Sequence, residues 1–405
     1  MSDELIPTRR SFPADDPIFA LNSEAQARKA AGESILNATV GALLDEAGQL
    51  VVLDPVMDLW RDLTALEVAP YAPIAGDPAF LLALVRRHWP LLDSAGAACA
   101  TPGGSGALAI SLRNFLEPGQ AVLTTAPYWG PYATLAAESG MALVTAPWPD
   151  QGSALDVEAW EDALRALMKT QGRVLLWLND PCHNPTGRSL SEADRAALAE
   201  LLRAVSHLGP VTLLLDFAYL DYTREPESVT AALTDYAALG AEGRVLVGAS
   251  LSVSKSLTLY GGRCGALAFP WCADPALQAA LTQSCRGTWS NCAKAPQALL
   301  LRLTRDGQAQ ERLAAEHRHW SGVLAARAAS LDEGLVGVGL GALHWMGGFF
   351  VCVPVPDPDA VCAWMRAEGV FTVPLPAGLR VGLCGMRAAE APRLAQTLRQ
   401  VLDHR

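Results

Sequence analysis

Between residues 121 and 247 the chain repeats one alternation, a short apolar run followed by a stretch with helical periodicity. The runs occupy 121–123, 142–144, 174–178, 211–215 and 245–247. None alternates polar with apolar residues along its length, so each reads as a strand buried on both faces. The stretches between them carry the other period: in 192–205, Ala196, Leu198, Leu201 and Leu202 share one helical face. Strands that each need a helical crossover before the next can pair belong to a predominantly parallel or mixed α/β sheet flanked by helices. Beyond Gln308 the pattern changes to a long helical stretch, 309–331, then a strand-like 348–353 and two more helical segments. That change predicts a second, smaller α+β lobe.

Composition narrows the class. At 405 residues the chain has room for two or three domains, and 51% hydrophobic against 18% charged residues supplies a large core. Its 31 Lys and Arg against 42 Asp and Glu leave a net charge of −11, which repels a phosphate backbone and excludes a nucleic-acid partner. No run approaches the ~20 apolar residues of a membrane span. The opening Met1-Ser2-Asp3-Glu4 is acidic and lacks the apolar segment of a signal peptide. Nine scattered cysteines, an odd number with no Cys-x-x-Cys pair, fit reduced thiols in the cytoplasm rather than a disulfide framework or a zinc site. Residues 1–18, polar and holding Pro7, Pro13 and Pro17, read as an extended arm.

In open α/β sheets ligands bind beyond the carboxyl ends of the strands, so the residues after each run carry the information. Trp129 follows the first run, in Ala126-Pro127-Tyr128-Trp129. After the third comes Asn179-Asp180-Pro181-Cys182-His183-Asn184-Pro185-Thr186-Gly187. Asp216-Phe217-Ala218-Tyr219 ends the fourth, and Ser252-Val253-Ser254-Lys255, with Arg263 further on, follows the fifth. Four strand ends thus send a ring, an amide, a carboxylate with a phenol, and a lysine with an arginine toward one crevice. Taken singly, each admits a plainer reading: a helix cap for Asp216, a solvated lysine, a turn at 184–187, a core tryptophan. Taken together they fit chemistry, because a desolvated lysine readily loses its proton and condenses with carbonyls. An ionised acid at the end of an apolar strand likewise needs a cation.

The segment Gly104-x-Gly106-x-x-Ala109 also matches the dinucleotide fingerprint, which makes a nicotinamide oxidoreductase a competitor. That fingerprint needs a strong strand before it and an acid ending the next strand. Here 95–100 is a weak strand, and the next one ends in Ala126-Pro127-Tyr128. A Gly/Ser loop opening a helix remains a good phosphate cradle, through its free N–H groups and positive dipole.

Ser252-x-Ser254-Lys255 with Leu259-Tyr260-x-x-Arg263-x-Gly265, Cys182-His183-Asn184-Pro185-Thr186-Gly187 and Asp216-Phe217-Ala218-Tyr219 resemble the pyridoxal-phosphate-dependent class I aminotransferases of fold type I. The likeness is to the aspartate and aromatic amino-acid branch and runs from about Asp16 to Met386. It implies an internal aldimine on Lys255, whose amine then shuttles a proton from the substrate Cα. It implies Asp216 on the pyridine nitrogen, Asn184 and Tyr219 on the phenolic oxygen, and Trp129 stacked on the ring. Gly104, Ser105, Ser252 and Arg263 correspond to phosphate ligands, joined by Tyr71 from a second subunit, so a homodimer with shared sites is implied. Arg380 matches the clamp for the α-carboxylate, and Arg286 the partner-borne arginine for a distal carboxylate. Gly41, Trp129 and Asn184 also face the substrate in this likeness. The substrates implied are an L-amino acid, aspartate or aromatic, and a 2-oxo acid such as 2-oxoglutarate. The domains implied are a small one from 19–50 and 311–405 and a large cofactor-binding one over 51–310.

One segment and three single positions depart from the family pattern. In 36–43 only Asn37 and Gly41 match, Tyr132 stands in place of a histidine, Trp289 replaces a smaller aromatic, and Thr258 replaces a glycine after the lysine. Other amino-acid chemistries on the same scaffold, a C–S lyase, decarboxylase or racemase, share the cofactor residues; a second carboxylate clamp at Arg286 argues for transamination. The aminotransferase-like half of a transcription regulator is disfavoured by the short arm and the acidic charge.

Overall fold

The computed structural model describes Glu4, Ile6, residues 17–376 and residues 378–404. Most of the predicted arm lies outside the described residues, and its last two, Pro17 and Ile18, already belong to the helix Pro17–Ala30. The chain forms two compact units. The larger comprises Leu50–Ala326 and His344–Phe350; the smaller comprises the residues up to Gln49, Arg327–Leu343 and those from Val351 on.

The strands follow in chain order. In the smaller unit β1 (Leu36–Asn37) pairs in parallel with a strand near the carboxy terminus. In the larger unit come β2 (Ala97–Thr101), β3 (Ala121–Ala126), β4 (Ala142–Pro147), β5 (Val174–Leu178), β6 (Val211–Phe217), β7 (Leu246–Ser252) and β8 (Gly265–Phe269). They make one seven-stranded sheet in the order β2-β8-β7-β6-β5-β3-β4. All neighbours run parallel except β8, which is antiparallel to β7 and β2. The α/β class with a mostly parallel sheet is therefore the observed one. At the passage to the smaller unit lies β9 (Phe350–Val353), followed by β10 (Val370–Phe371), the partner of β1, then β11 (Val373–Leu375) and β12 (Gly378–Gly382). The last two form a sheet of order β11-β12-β9.

The uniform apolar runs are buried as their composition requires: every residue of β5 and β6 is buried. The exception is 142–144, read as buried on both faces. This strand is one edge of the sheet, and Ala142 and Val144 are exposed, whereas the other edge, β2, is buried with the helix Pro275–Thr288 packed on it. An edge strand has one neighbour instead of two, and its local sequence does not record that position. The helix Glu192–Ser206 starts at a capping box in which Ser191 Oγ accepts from the Asp194 amide and Asp194 binds back. The chain divides within the long helix Gly307–Gly337, at 326/327 rather than at the expected 310. From Arg327 on the helix's side chains join the smaller unit. The Arg327 guanidinium, 1% exposed, binds the Glu46 carboxylate and the carbonyls of Leu44, Leu383 and Cys384.

Candidate active site

The central strands β5, β6 and β7 end side by side, and their ends carry the polar residues. Asp216 on β6 is in register with Ser250 on β7. Its carboxyl is pushed up to about 6 because burial penalises the charged form; hydrogen bonds from the hydroxyls of Tyr132 and Ser250 offset part of this. Tyr132 OH donates to Asp216 Oδ2 at 2.6 Å, and the phenol is itself held far above its ordinary value by burial and by that carboxylate. Tyr132 therefore stays a neutral donor. The strand ends are also stitched together: Asn179 Nδ2 donates to the Asp216 carbonyl at 2.7 Å, and Asn179 Oδ1 accepts from the Asn184 amide at 2.6 Å. Asn184 Nδ2 donates to Tyr219 OH at 3.3 Å. Asn184 Oδ1 is buried with no hydrogen-bond partner among the described residues, a cost of about 1–3 kcal/mol that a ligand can remove.

Facing Asp216 is the start of the helix Gly103–Phe115, which packs on β7 and β8 and whose first N–H groups have no helical acceptor. Two glycines make room there. A Cβ on Gly103, at φ +73°, would sit 2.6 Å from Arg263 Nη2. One on Gly104 would sit 3.1 Å from Ser250 Oγ and 3.8 Å from Asp216 Oδ1. Arg263 is fixed by bonds from Nη2 to the Pro102 carbonyl (3.0 Å) and from Nη1 to Ser254 Oγ (3.2 Å). Ser252 Oγ accepts from the Ser254 amide at 3.2 Å. The loop thus gathers Gly104, Ser105, Ser252 and Arg263 around a helix N-terminus, an arrangement suited to a phosphate.

Lys255 lies in the one-turn helix Val253–Ser256 directly after β7, with Nζ 4.7 Å from the centre of the Tyr260 ring. Thr258 ends that turn at φ 45°, a left-handed conformation costly for a β-branched side chain, which accounts for the family's glycine there. Trp129 is half-buried and meets Tyr132 edge to face at 5.5 Å. Tyr71, 91% exposed, and Arg286, whose Nη1 donates to Ser290 Oγ at 2.7 Å, stand on the surface of the larger unit instead.

The smaller unit holds the other predicted residues. Arg380 on β12 is buried, and its Nη2 donates to the Thr39 carbonyl at 3.0 Å. Thr39 Oγ1 donates to Asn37 Oδ1 at 2.6 Å, and Asn37 Nδ2 to Asn22 Oδ1 at 2.8 Å, which fixes the segment leading to Gly41. The sequence motifs contain Asn179 and Ser254 but assign no role to them or to Ser250. Asn179 directly follows β5, Ser250 lies near the end of β7 and Ser254 in the turn after it, so each is a polar residue at or just past a strand end.

A buried acid held by the hydroxyls of Tyr132 and Ser250, a lysine just past the adjoining strand end and a helix N-terminus suited to an anion belong together in an α/β transferase of fold type I. Residues 33–398 match the family model for aminotransferase class I and II, and the chain belongs to that family. It is 29% identical to the aromatic-amino-acid aminotransferase of Pseudomonas aeruginosa over 384 residues, 90% of this chain and 92% of that protein. It is 27% identical to the tyrosine aminotransferase of Rhizobium meliloti over 396 residues, 94% and 96% of the two chains. The crystal structure of an aminotransferase from Anaerococcus prevotii matches with a TM-score of 0.89 at 26% identity, covering 98% of this chain and 99% of that one. The protein is thus an enzyme, an aminotransferase. No helix among the described residues is long and apolar enough to cross a membrane.

Proposed function

We propose that this enzyme moves an amino group between an L-amino acid, aspartate or aromatic, and a 2-oxo acid such as 2-oxoglutarate, using pyridoxal 5′-phosphate, as a cytoplasmic homodimer. Asp216 carries the reading. Its carboxyl is buried at the end of an apolar strand, and the hydrogen bonds that hold it down come from the neutral hydroxyls of Tyr132 and Ser250. A protonated pyridine nitrogen is the cation that such a site lacks. The residues fit the rest of the cofactor as well: Gly104, Ser105, Ser252 and Arg263 for its phosphate, Asn184 and Tyr219 for its phenolic oxygen, Trp129 for its ring face, and Lys255 for its aldehyde.

Bound there, the cofactor supplies the electron-withdrawing ring that acidifies the substrate Cα. The chain does the rest. Asp216 keeps the ring nitrogen cationic. Lys255 Nζ takes the proton from the substrate Cα, with the amine held beside the Tyr260 ring. Arg380 binds the α-carboxylate through its planar fork. Tyr71 and Arg286, both exposed on this chain, serve the site of a second copy, Tyr71 at the phosphate and Arg286 at a distal carboxylate. The relatives named for aromatic amino acids and tyrosine support the aromatic substrate.

The test is borohydride reduction of the purified protein with peptide mapping, then single turnovers of a panel of L-amino acids with 2-oxoglutarate. A pyridoxyl group on Lys255 and bleaching by aspartate, glutamate or aromatic amino acids are expected. A colourless protein without that label, or no response to any amino acid, overturns the reading.

A further inference from the structure

The turn that carries Lys255 is held from behind by side chains that the proposed chemistry does not use. The helix Val253–Ser256 is a single turn, so its carbonyls depend on partners from elsewhere. The Lys255 carbonyl accepts from the Thr258 amide and from Tyr222 OH, each at 3.0 Å. The next carbonyl, that of Ser256, lies 2.6 Å from His317 Nε2. A carbonyl can only accept, so Nε2 carries the hydrogen and Nδ1 is the atom that faces Asp221 Oδ1, at 3.7 Å. Asp221 is fixed in turn by Arg87 Nη2 at 3.2 Å. Burial raises its carboxyl, but Arg87, with His317 and His88, more than offsets this and holds it below the ordinary value. The rings of Tyr222 and His317 meet edge to face at 5.6 Å. Three separate segments supply these groups: the end of the helix Pro78–Arg86, the turn Leu220–Tyr222 after β6, and the long helix Gly307–Gly337.

We propose that Tyr222 and His317, the latter oriented by Asp221 and Arg87, are positioning residues for the Lys255 amine. They pin two consecutive carbonyls, those of Lys255 and Ser256, so the side chain leaves the backbone from a fixed origin. Proton transfer is steep in distance, and a misplacement of ~1 Å costs on the order of 10²-fold in rate. The proposal rests on the assignment of Lys255 as the residue that moves the Cα proton.

The test uses Tyr222→Phe, His317→Leu and His317→Gln, the last placing an amide N–H near where Nε2 stood. In the cofactor-loaded enzyme, Tyr222→Phe and His317→Leu are expected to lower kcat by roughly 5- to 50-fold with little change in KM. The isotope effect with Cα-deuterated donor should rise, because proton transfer becomes slower relative to the other steps. His317→Gln should recover most of the loss. In the cofactor-free protein, reductive methylation of Lys255, mapped by mass spectrometry against Lys29, Lys169 and Lys294 as internal standards, should change in rate in Tyr222→Phe and His317→Leu only. Unchanged isotope effects and unchanged Lys255 labelling, with activity tracking the folded fraction, would give these residues a structural role and overturn the proposal. Absence of a pyridoxyl group on Lys255 in the unaltered protein would strike the proposed function instead. The methylation rates would still report whether Tyr222 and His317 fix the amine.

Discussion

Replacing Tyr132 by Phe removes one oxygen and leaves the ring where it is, buried at 1% exposure and packed edge to face on Trp129 (5.5 Å) and Trp177 (5.1 Å). The lost group is the donor 2.6 Å from Asp216 Oδ2. Asp216 already sits at about 6 with that donor present. A hydrogen bond to a charged group is worth ~1.5–3 kcal/mol net, or about 1–2 pH units. The acid should therefore titrate near 7–8 in the variant, within about a unit. At pH 7 its ionised fraction falls from about 90% to roughly 10–50%, and the site loses much of its hold on a cationic ring. Infrared difference spectroscopy of the cofactor-free protein, with 13C-labelled aspartate, reads the carboxylic acid C=O stretch directly as pH is varied. A midpoint that stays near 6 in Tyr132→Phe would show that the phenol does not stabilise the carboxylate, and the electrostatic reasoning for this site would fail.

Three further outcomes follow from the same geometry. The folded-state value of Asp216 lies above the ordinary carboxylate value of 3.8. Its contribution to cofactor-free stability is therefore fully present below that value and lost as pH rises through about 6, on the order of 3 kcal/mol at most. Asp216→Asn should flatten this part of the stability–pH curve in urea titrations, and an unchanged curve would place the effect elsewhere. Lys255→Ala should keep the cofactor without a covalent link and lose turnover by ~10²–10⁴-fold or more; near-normal steady-state rates would mean that another amine moves the proton. Arg286→Leu should weaken dicarboxylic substrates selectively, seen as a raised KM for 2-oxoglutarate with aromatic donors spared. Equal losses for both kinds would point to a structural role for that arginine.

The chain's local patterns were enough to define five of the sheet's seven strands and the residues at their ends, but not the antiparallel β8. Runs such as 174–178 and 211–215 admit no wet face, so they must lie inside a layered α/β structure, and a polar residue directly after such a run must sit at its rim. The placement of Asp216 was legible for that reason, that of Asn184 and Lys255 from the segments that follow their runs, and that of the glycine loop at 103–106 from its composition. Tertiary structure decided what depends on neighbours distant in sequence. That 142–144 is an exposed edge follows from strand order and from which edge a helix covers, neither of which a single run encodes. The Tyr132 hydroxyl that governs Asp216 comes from 84 positions away, and the His317 that grips the Ser256 carbonyl from 61. A pattern read along the chain reports each side chain's own preference for water or core; which charges and donors it meets there is set only when separate segments are folded against one another.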